Sequence, residues 1–379
     1  MDDARCDALW NLYRTYRTGV APFAPIDATL IAPEHSDAPP LFRVSGAAPS
    51  TDGAVAGVVQ GYEAHGGRSV WIHRPWRDPG GTYPGYEYKG AGNFDGTPPY
   101  LQTSGPYEII VGGQRLDWAT EEFDTTRRVQ QAGADVQRAI AVFQVPPPFD
   151  GMHAGIFVRA TRSPIRLMHF WRHPEVLTHY LAIGSERIEA YAARLGAAMG
   201  RSARLMLSLG IATPLHIDNV TSEGEFVDFE HVWNGWYYGH PMPPSYVFET
   251  VYAAFREMPF VFGAAVGAYD AAFTRELCGT AVEMRGDAGE RSRAAVARFL
   301  GAEVDEPALI APVADGVRVK LLEDWDRALT FYRYLEAQRS GLSAVAGTTF
   351  VLDNLTSLIR MTEDDIRRMR ARPAKVLTS

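Results

Sequence analysis

The chain has 379 residues, 46% of them apolar, with 37 basic against 45 acidic side chains and a formal net charge of −8. That length allows one large domain or two lobes sharing a cleft, and the acidic balance argues against a nucleic-acid partner, because duplex-DNA binders carry a basic surplus. No apolar run reaches the ~18 residues of a membrane span, residues 1–17 carry acids and bases in place of an apolar leader core, and Cys6 and Cys278 form no CxxC pair; the expectation is a cytoplasmic protein with neither a membrane partner nor a disulfide framework.

In chain order, Leu9, Trp10, Leu12, Tyr13 and Tyr16 make one apolar stripe, so a helix is expected over 1–20. Residues 21–50, rich in Pro, Ala and Ser, read as an extended arm. Short β-prone runs at 54–59, 69–73 and 107–111 alternate with Gly and Pro clusters, and 74–107 reads as loop-rich. A helix over 117–131 carries Glu121 and Glu122. A strand over 138–145 then stops at Pro146, Pro147 and Pro148, which cannot continue a central strand. Beyond it come a strand over 154–160, helices over 174–209, a polar turn-rich stretch over 212–224, a short strand at 226–229, and helices within 245–300, 323–340 and 362–372. The expected division is an N-terminal helix and arm (1–50), a β-rich lobe (51–148) and a mostly helical lobe (149–379), joined near 146–152. The fold class is α+β, and this order has the outline of a protein-kinase-like two-lobed fold, an outline other α+β folds share.

Four segments carry candidate chemistry. The first is His216-Ile217-Asp218-Asn219 followed by Phe226-Val227-Asp228-Phe229-Glu230, an Asp-Asn pair ten residues before a second Asp. Phosphoryl- and nucleotidyl-transfer sites need such a set: one carboxylate faces the acceptor hydroxyl, while an amide and another carboxylate hold a hard divalent cation on the phosphates. An ordinary polar turn before a strand has the same composition, and both readings stay open. The second is Tyr88-Lys89-Gly90-Ala91-Gly92, a Lys ending a β-prone run with glycines that let backbone approach a phosphate, although solvated Lys-Gly turns are common and the spacing is not that of a Walker loop. The third is Glu122, placed to pair with a strand Lys or simply to face solvent. The fourth is Val158-Arg159 through Ile165-Arg166, two arginines in apolar surroundings that suit either bidentate phosphate binding or structural ion pairs.

In this order the four segments resemble the selenoprotein O family of AMP-transferring pseudokinases. The family pattern runs from a strand ending in Lys-Gly-Ala-Gly, through a helix Glu and a Val-Arg…Arg-Phe-Gly-His-Phe stretch, to Asn-Thr-Asp-Asn…Ile-Asp-Tyr-Gly. Here the matching pieces are Lys89-Gly90-Ala91-Gly92, Glu122, Val158-Arg159 through Arg166-Leu167-Met168-His169-Phe170, and Asp218-Asn219 through Val227-Asp228-Phe229. The resemblance implies a kinase-like fold that binds ATP with Mg²⁺ or Mn²⁺ and transfers AMP to a hydroxyl, releasing pyrophosphate. It implies that Lys89 and Glu122 steady the phosphates, Arg159 and Arg166 bind the outward-turned phosphates, Asp218 is the base, and Asn219 and Asp228 are metal ligands. Gly112-Gly113-Gln114-Arg115 stands where the family's Asp-Gly-Arg nucleotide clamp is expected, which assigns Arg115 to the nucleotide. His216, Ile217 and Glu230 depart from the pattern and point to a different acceptor, protein or small molecule.

Three other readings compete. A small-molecule kinase would use the same Asp-Asn…Asp set behind a His-x-Asp core. A pseudokinase would bind ATP without turnover. A metal hydrolase would need a ligand set among His153, His169, His173, His179, His216, His231 and His240, but these follow no common zinc spacing. The aromatic residues Trp233, Trp236, Tyr237 and Tyr238 read either as an acceptor platform or as core.

Overall fold

The computed structural model describes residues 3–16, 20–25, 29–32, 42–44, 59–64, 69–91, 100–104, 107–145, 153–213, 215–229, 233–234, 244–282 and 285–301. The helices expected at 323–340 and 362–372, the strand run at 54–58, Gly92, the triple proline and most of the 233–238 aromatic group lie outside them.

Strand-forming runs alternate with turns through the first 160 residues. They give β1 (Val20–Pro25), β2 (Thr29–Ala32), β3 (Phe42–Val44), β4 (Val59–Glu63), β5 (Ser69–Ile72), β6 (Trp76–Asp78), β7 (Gly81–Tyr83), β8 (Tyr86–Lys89), β9 (Tyr100–Ser104), β10 (Tyr107–Val111), β11 (Gln114–Arg115), β12 (Arg138–Val145) and β13 (Ala154–Ala160). Nine of them form one sheet in the order β2-β12-β13-β8-β5-β4-β1-β3, with β11 also on β13. Its pairings are antiparallel. Helices α1 (Asp3–Tyr16) and α2 (Leu116–Gln131) belong to this half of the sequence.

The 21–50 arm differs from expectation: it supplies β1, β2 and β3 to the sheet. Pro and Ala are poor strand formers, but pairing with an existing neighbour, here β4 and β12, overrides local preference. The division at 148/149 differs as well. β12 and β13 are hydrogen-bonded neighbours from Arg138↔Ala160 to Val145↔Ala154, so the sheet runs past the expected boundary to Ala160. β13 is buried along its whole length, as a central strand covered on both faces must be.

The remainder is mostly helical: α3 (Leu167–Arg172), α4 (Pro174–Gly184), α5 (Ile188–Ser208), α6 (Pro244–Phe262), α7 (Val266–Cys278) and α8 (Ala288–Leu300), with a small β14–β15 ladder of Ile211–Ala212 and Trp233–Asn234. The molecule is thus mixed α+β, an antiparallel sheet followed by helices. The largest core joins the two parts. Trp10 of α1 stacks on His73 at 4.4 Å and meets Tyr62 edge-on at 5.0 Å, while Tyr13 meets His169. α1 is therefore packed into the body of the protein, tying sheet to helices.

The stretch expected as a strand at 226–229 forms only isolated bridges, Phe226 to Val136 and to Val220. Asp228 has φ +68°, which no strand residue adopts. α5 and α7 pack closely. Gly196 and Gly200, one turn apart, lie against the carbonyl oxygens of Tyr269 and Phe273, which a Cβ would approach to 2.4 and 2.3 Å. Gly196→Ala should therefore destabilise the protein by about 1–3 kcal/mol through overpacking, outweighing the ~1 kcal/mol helix-propensity gain of Ala over Gly. Urea unfolding of the variant measures this, and a gain in stability would refute the close contact.

Candidate functional site

Strand periodicity builds the centre of the site. In β8, Tyr86 and Tyr88 turn into one apolar cluster with Val70, Ile72, Ala141, Ile156 and Val158. Alternation therefore sends Glu87 and Lys89 to the other face, which is the face covered by α2, where Phe123 packs edge-on against Phe157 of β13. α2 is amphipathic and buries Ala119, Glu122, Phe123, Thr126 and Val129. Glu122 thus arrives above Lys89, and the ammonium donates to its Oε2 at 2.6 Å. The same ammonium pairs with the carboxylate of Asp228, 139 residues away in sequence.

Both members of the Lys89–Glu122 pair are buried, so each must be fully partnered. Glu122 accepts from Gln114 Nε2 (3.2 Å), Gln137 Nε2 (3.2 Å), Arg159 Nη1 (3.2 Å) and the Phe229 backbone N–H (3.3 Å) as well as from Lys89. Gln137 is a second hub. Its Oε1 accepts from Arg159 Nη1 (2.9 Å) and from the Asp228 N–H (3.0 Å), which holds that left-handed residue in place. Backbone strain of this kind costs on the order of 1–3 kcal/mol and persists only where surroundings fix it. Asp228 itself keeps about a third of its side chain exposed, 32%.

The other half of the site is the 216–228 segment. Phe226 donates to Asp135 O and accepts from Gln137 N, Val227 N donates to Asn219 O, and Leu167 N and Met168 N donate to Val220 O and Ile217 O. These bonds lay Asn219 beside Val227 and so bring the Asp218-Asn219 pair next to Asp228. On the far side, buried Glu257 of α6 accepts from the Ile217 N–H at 2.6 Å and sits 2.9 Å from His216 Nδ1, anchoring the residues just before Asp218. Arg166 Nη1 donates to the Asp218 carbonyl at 2.7 Å.

Of the residues expected at the site, Lys89, Glu122, Arg159, Arg166, Asp218, Asn219 and Asp228 lie in this one connected neighbourhood. The two arginines expected at the outer phosphates meet on a carboxylate. Arg159 Nη2 lies 2.5 Å and Arg166 Nη2 3.3 Å from Glu87 Oε1, and both arginines are buried. Arg115 turns outward, its guanidinium on Asp117 at 2.6 and 2.9 Å and over the Trp118 ring, because its strand neighbour Gln114 takes the inward position. Gly90, at φ +89°, is needed for packing: a Cβ there would come within 2.9 Å of Gln114 Cβ and the Gly155 carbonyl. Gln114, Gln137, Glu87 and Glu257 were not among the expected residues. For Glu87 the signal was legible, since Tyr-Glu-Tyr-Lys alternation puts it on the face of Lys89; the two glutamines and Glu257 left no such pattern.

Burial opposes ionisation of Glu87, but Arg159 and Arg166 outweigh it and hold its carboxyl below the ordinary value. The side-chain oxygens of Asp228 and Asn219 are donors of the kind Mg²⁺ takes, an ion commonly held by one or two carboxylates together with phosphate oxygens and water. Among the described residues no group of three or more His, Cys, Asp or Glu could hold a metal ion by itself, and no helix is long and apolar enough to cross a membrane. No protein-family model matches the chain, and no curated protein matches it.

Removing one partner from a buried ionic network strands the others. Glu122→Ala should cost about 3–5 kcal/mol of folding stability, whereas Arg115→Ala, which breaks an exposed pair, should stay within about 1 kcal/mol of the parent. Denaturant unfolding of both variants checks this, and equal losses would refute the central place given to Glu122.

Proposed function

We propose that the chain is an ATP-dependent nucleotidyltransferase with a protein-kinase-like two-lobed fold, similar to the selenoprotein O family. It would move AMP from ATP to a hydroxyl of a protein or small molecule and release pyrophosphate. The observation that carries the reading is the Lys89 ammonium held at once by Glu122 of α2 and by Asp228, with Asp218-Asn219 alongside. A strand Lys fixed by a helix Glu, beside a carboxylate that can hold a metal on phosphates, is the arrangement by which kinase-like sites grip a nucleotide triphosphate. An antiparallel sheet with α2 packed on it, followed by a helical part, supports the same reading.

In this reading each side chain has one task. Lys89 sits where it can pass from Asp228 to a phosphate oxygen, keeping Glu122 as its fixed partner. Asp228 and Asn219 would hold Mg²⁺ or Mn²⁺, which when bound neutralises the charge on the phosphates. Asp218 takes the proton of the acceptor hydroxyl as its oxygen bonds to the α-phosphorus. The bond from that phosphorus to the bridging oxygen breaks, and pyrophosphate leaves with the oxygen. The His216–Glu257 contact keeps the segment before Asp218 from drifting as the acceptor changes.

Incubation with Mg²⁺ and ATP labelled separately at the α- and γ-phosphates tests the reading. Transfer of the α-label with release of pyrophosphate supports it. Transfer of the γ-label with release of ADP would replace it by phosphotransfer, and nucleotide binding with no label moved would leave a binding module. Asp228→Ala should abolish label transfer, and Asp218→Ala should slow it by about 10²-fold or more with a smaller effect on ATP affinity. Parental turnover in the Asp228 variant would remove that residue from the site.

A further inference from the structure

The two arginines of the 159–166 stretch meet on a single side chain. Glu87 is the direct cross-strand partner of Arg159 in the β8–β13 ladder, and its Oε1 receives Nη2 of Arg159 at 2.5 Å and Nη2 of Arg166 at 3.3 Å. The other terminal nitrogen of each arginine reaches one half of the candidate site. Arg159 Nη1 lies 3.2 Å from Glu122 Oε1, the carboxylate that holds Lys89, and Arg166 Nη1 lies 2.7 Å from the carbonyl oxygen of Asp218. Glu87, Arg159 and Arg166 are 1%, 1% and 5% exposed.

We propose that Glu87 is a positioning residue whose carboxylate, held between Arg159 and Arg166, fixes Asp218 relative to the Lys89–Glu122 pair, and that the two arginines act through it rather than on phosphate. The assignment of Asp218 and Lys89 to catalysis rests on the function proposed above; the structural linkage does not. A phosphate approaching the Nη2 atoms of these guanidiniums would compete with Glu87 for them, and displacing that carboxylate would leave it buried without its partners, which is strongly unfavourable. Because Glu87 and Lys89 stand two residues apart on one face of β8, a single strand sets both ends of the site. The second arginine also closes the start of α3: the Arg166 N–H donates to His169 Nδ1 at 2.8 Å, and the Leu167 and Met168 N–H groups donate to the carbonyls of Val220 and Ile217. A shift of Arg166 would therefore move Asp218 with it.

Glu87→Asp in the full chain keeps the charge but shortens the side chain by one methylene, so its carboxylate cannot reach Arg159 and Arg166 at once. Glu87→Gln keeps the shape and removes the charge. Three quantities are read: amide hydrogen exchange, the MgATP dissociation constant by calorimetry, and the rate of α-label transfer. For Glu87→Asp the amides of Leu167, Met168 and Asn219 should exchange roughly tenfold faster, with the α5 core amides unchanged. Label transfer should fall by roughly tenfold or more, with the MgATP constant within about twofold of the parent. Unchanged exchange at those three amides, or unchanged transfer, would overturn the proposal. So would tighter MgATP binding in Glu87→Gln, since that is what a carboxylate competing with phosphate for the arginines produces. Should Glu87→Gln fail to fold, Glu87→Asp decides. If the parent protein neither binds MgATP nor moves label, the proposed function falls, and the exchange measurement alone decides whether Glu87 positions the 217–220 segment.

Discussion

Charge cannot be buried alone, and that constraint organises the centre of this protein. Lys89, Glu87, Glu122, Arg159 and Arg166 all lie inside the fold, where an unpartnered ion costs several kcal/mol against a net folding stability of about 5–15 kcal/mol. Each therefore has to be matched by groups in the correct place. Glu122 alone draws on a strand ammonium, two glutamine amides, a guanidinium and a backbone N–H. Those donors come from β8, β11, β13, the turn before β12 and the 226–229 segment, so none of these can shift without exposing a mismatch to the others.

The same network explains how an irregular segment is held as firmly as a strand. Residues 216–229 lack a ladder of their own, yet their backbone groups are taken up by Asp135, Gln137, Ile165, Leu167 and Met168, and by the Glu257 carboxylate. Asp228 keeps a left-handed backbone that a free chain would abandon; Gln137 holds its N–H, Lys89 pairs with its carboxylate, and about a third of its side chain, 32%, is exposed. The groups that orient Asp228 are buried, whereas its own side chain reaches the surface. α6 anchors the segment through Glu257, and α5 and α7 pack closely at Gly196 and Gly200.

Much of the local structure was written in the chain. Two-residue alternation and the placement of Pro and Gly located β12 and β13 to the residue, the apolar stripe located α1, and the 117–131 pattern located α2 to within a residue. Asp, Asn, Lys, Glu and Arg in a fixed order marked the segments that the fold brings together. These are local properties: a period of two or of 3.6, or a residue that cannot donate a hydrogen bond, acts on its immediate neighbours and needs no knowledge of the rest.

Partnership was not local, and only the tertiary structure decided it. The Pro- and Ala-rich 21–50 arm joins the sheet because β4 and β12 offer it edges, and β13 belongs to the sheet rather than to the helices because β8 and β12 flank it. Arg159 and Arg166 meet the Glu87 carboxylate, Arg115 turns to Asp117, and Gln137 becomes a hub, all because of which side chains the packing leaves within about 3 Å of one another. The amino-acid order determined which residues have charge to offer and which face of a strand or helix presents it. The long-range register of the sheet, and the rule that every buried charge be answered, determined which charge each one met.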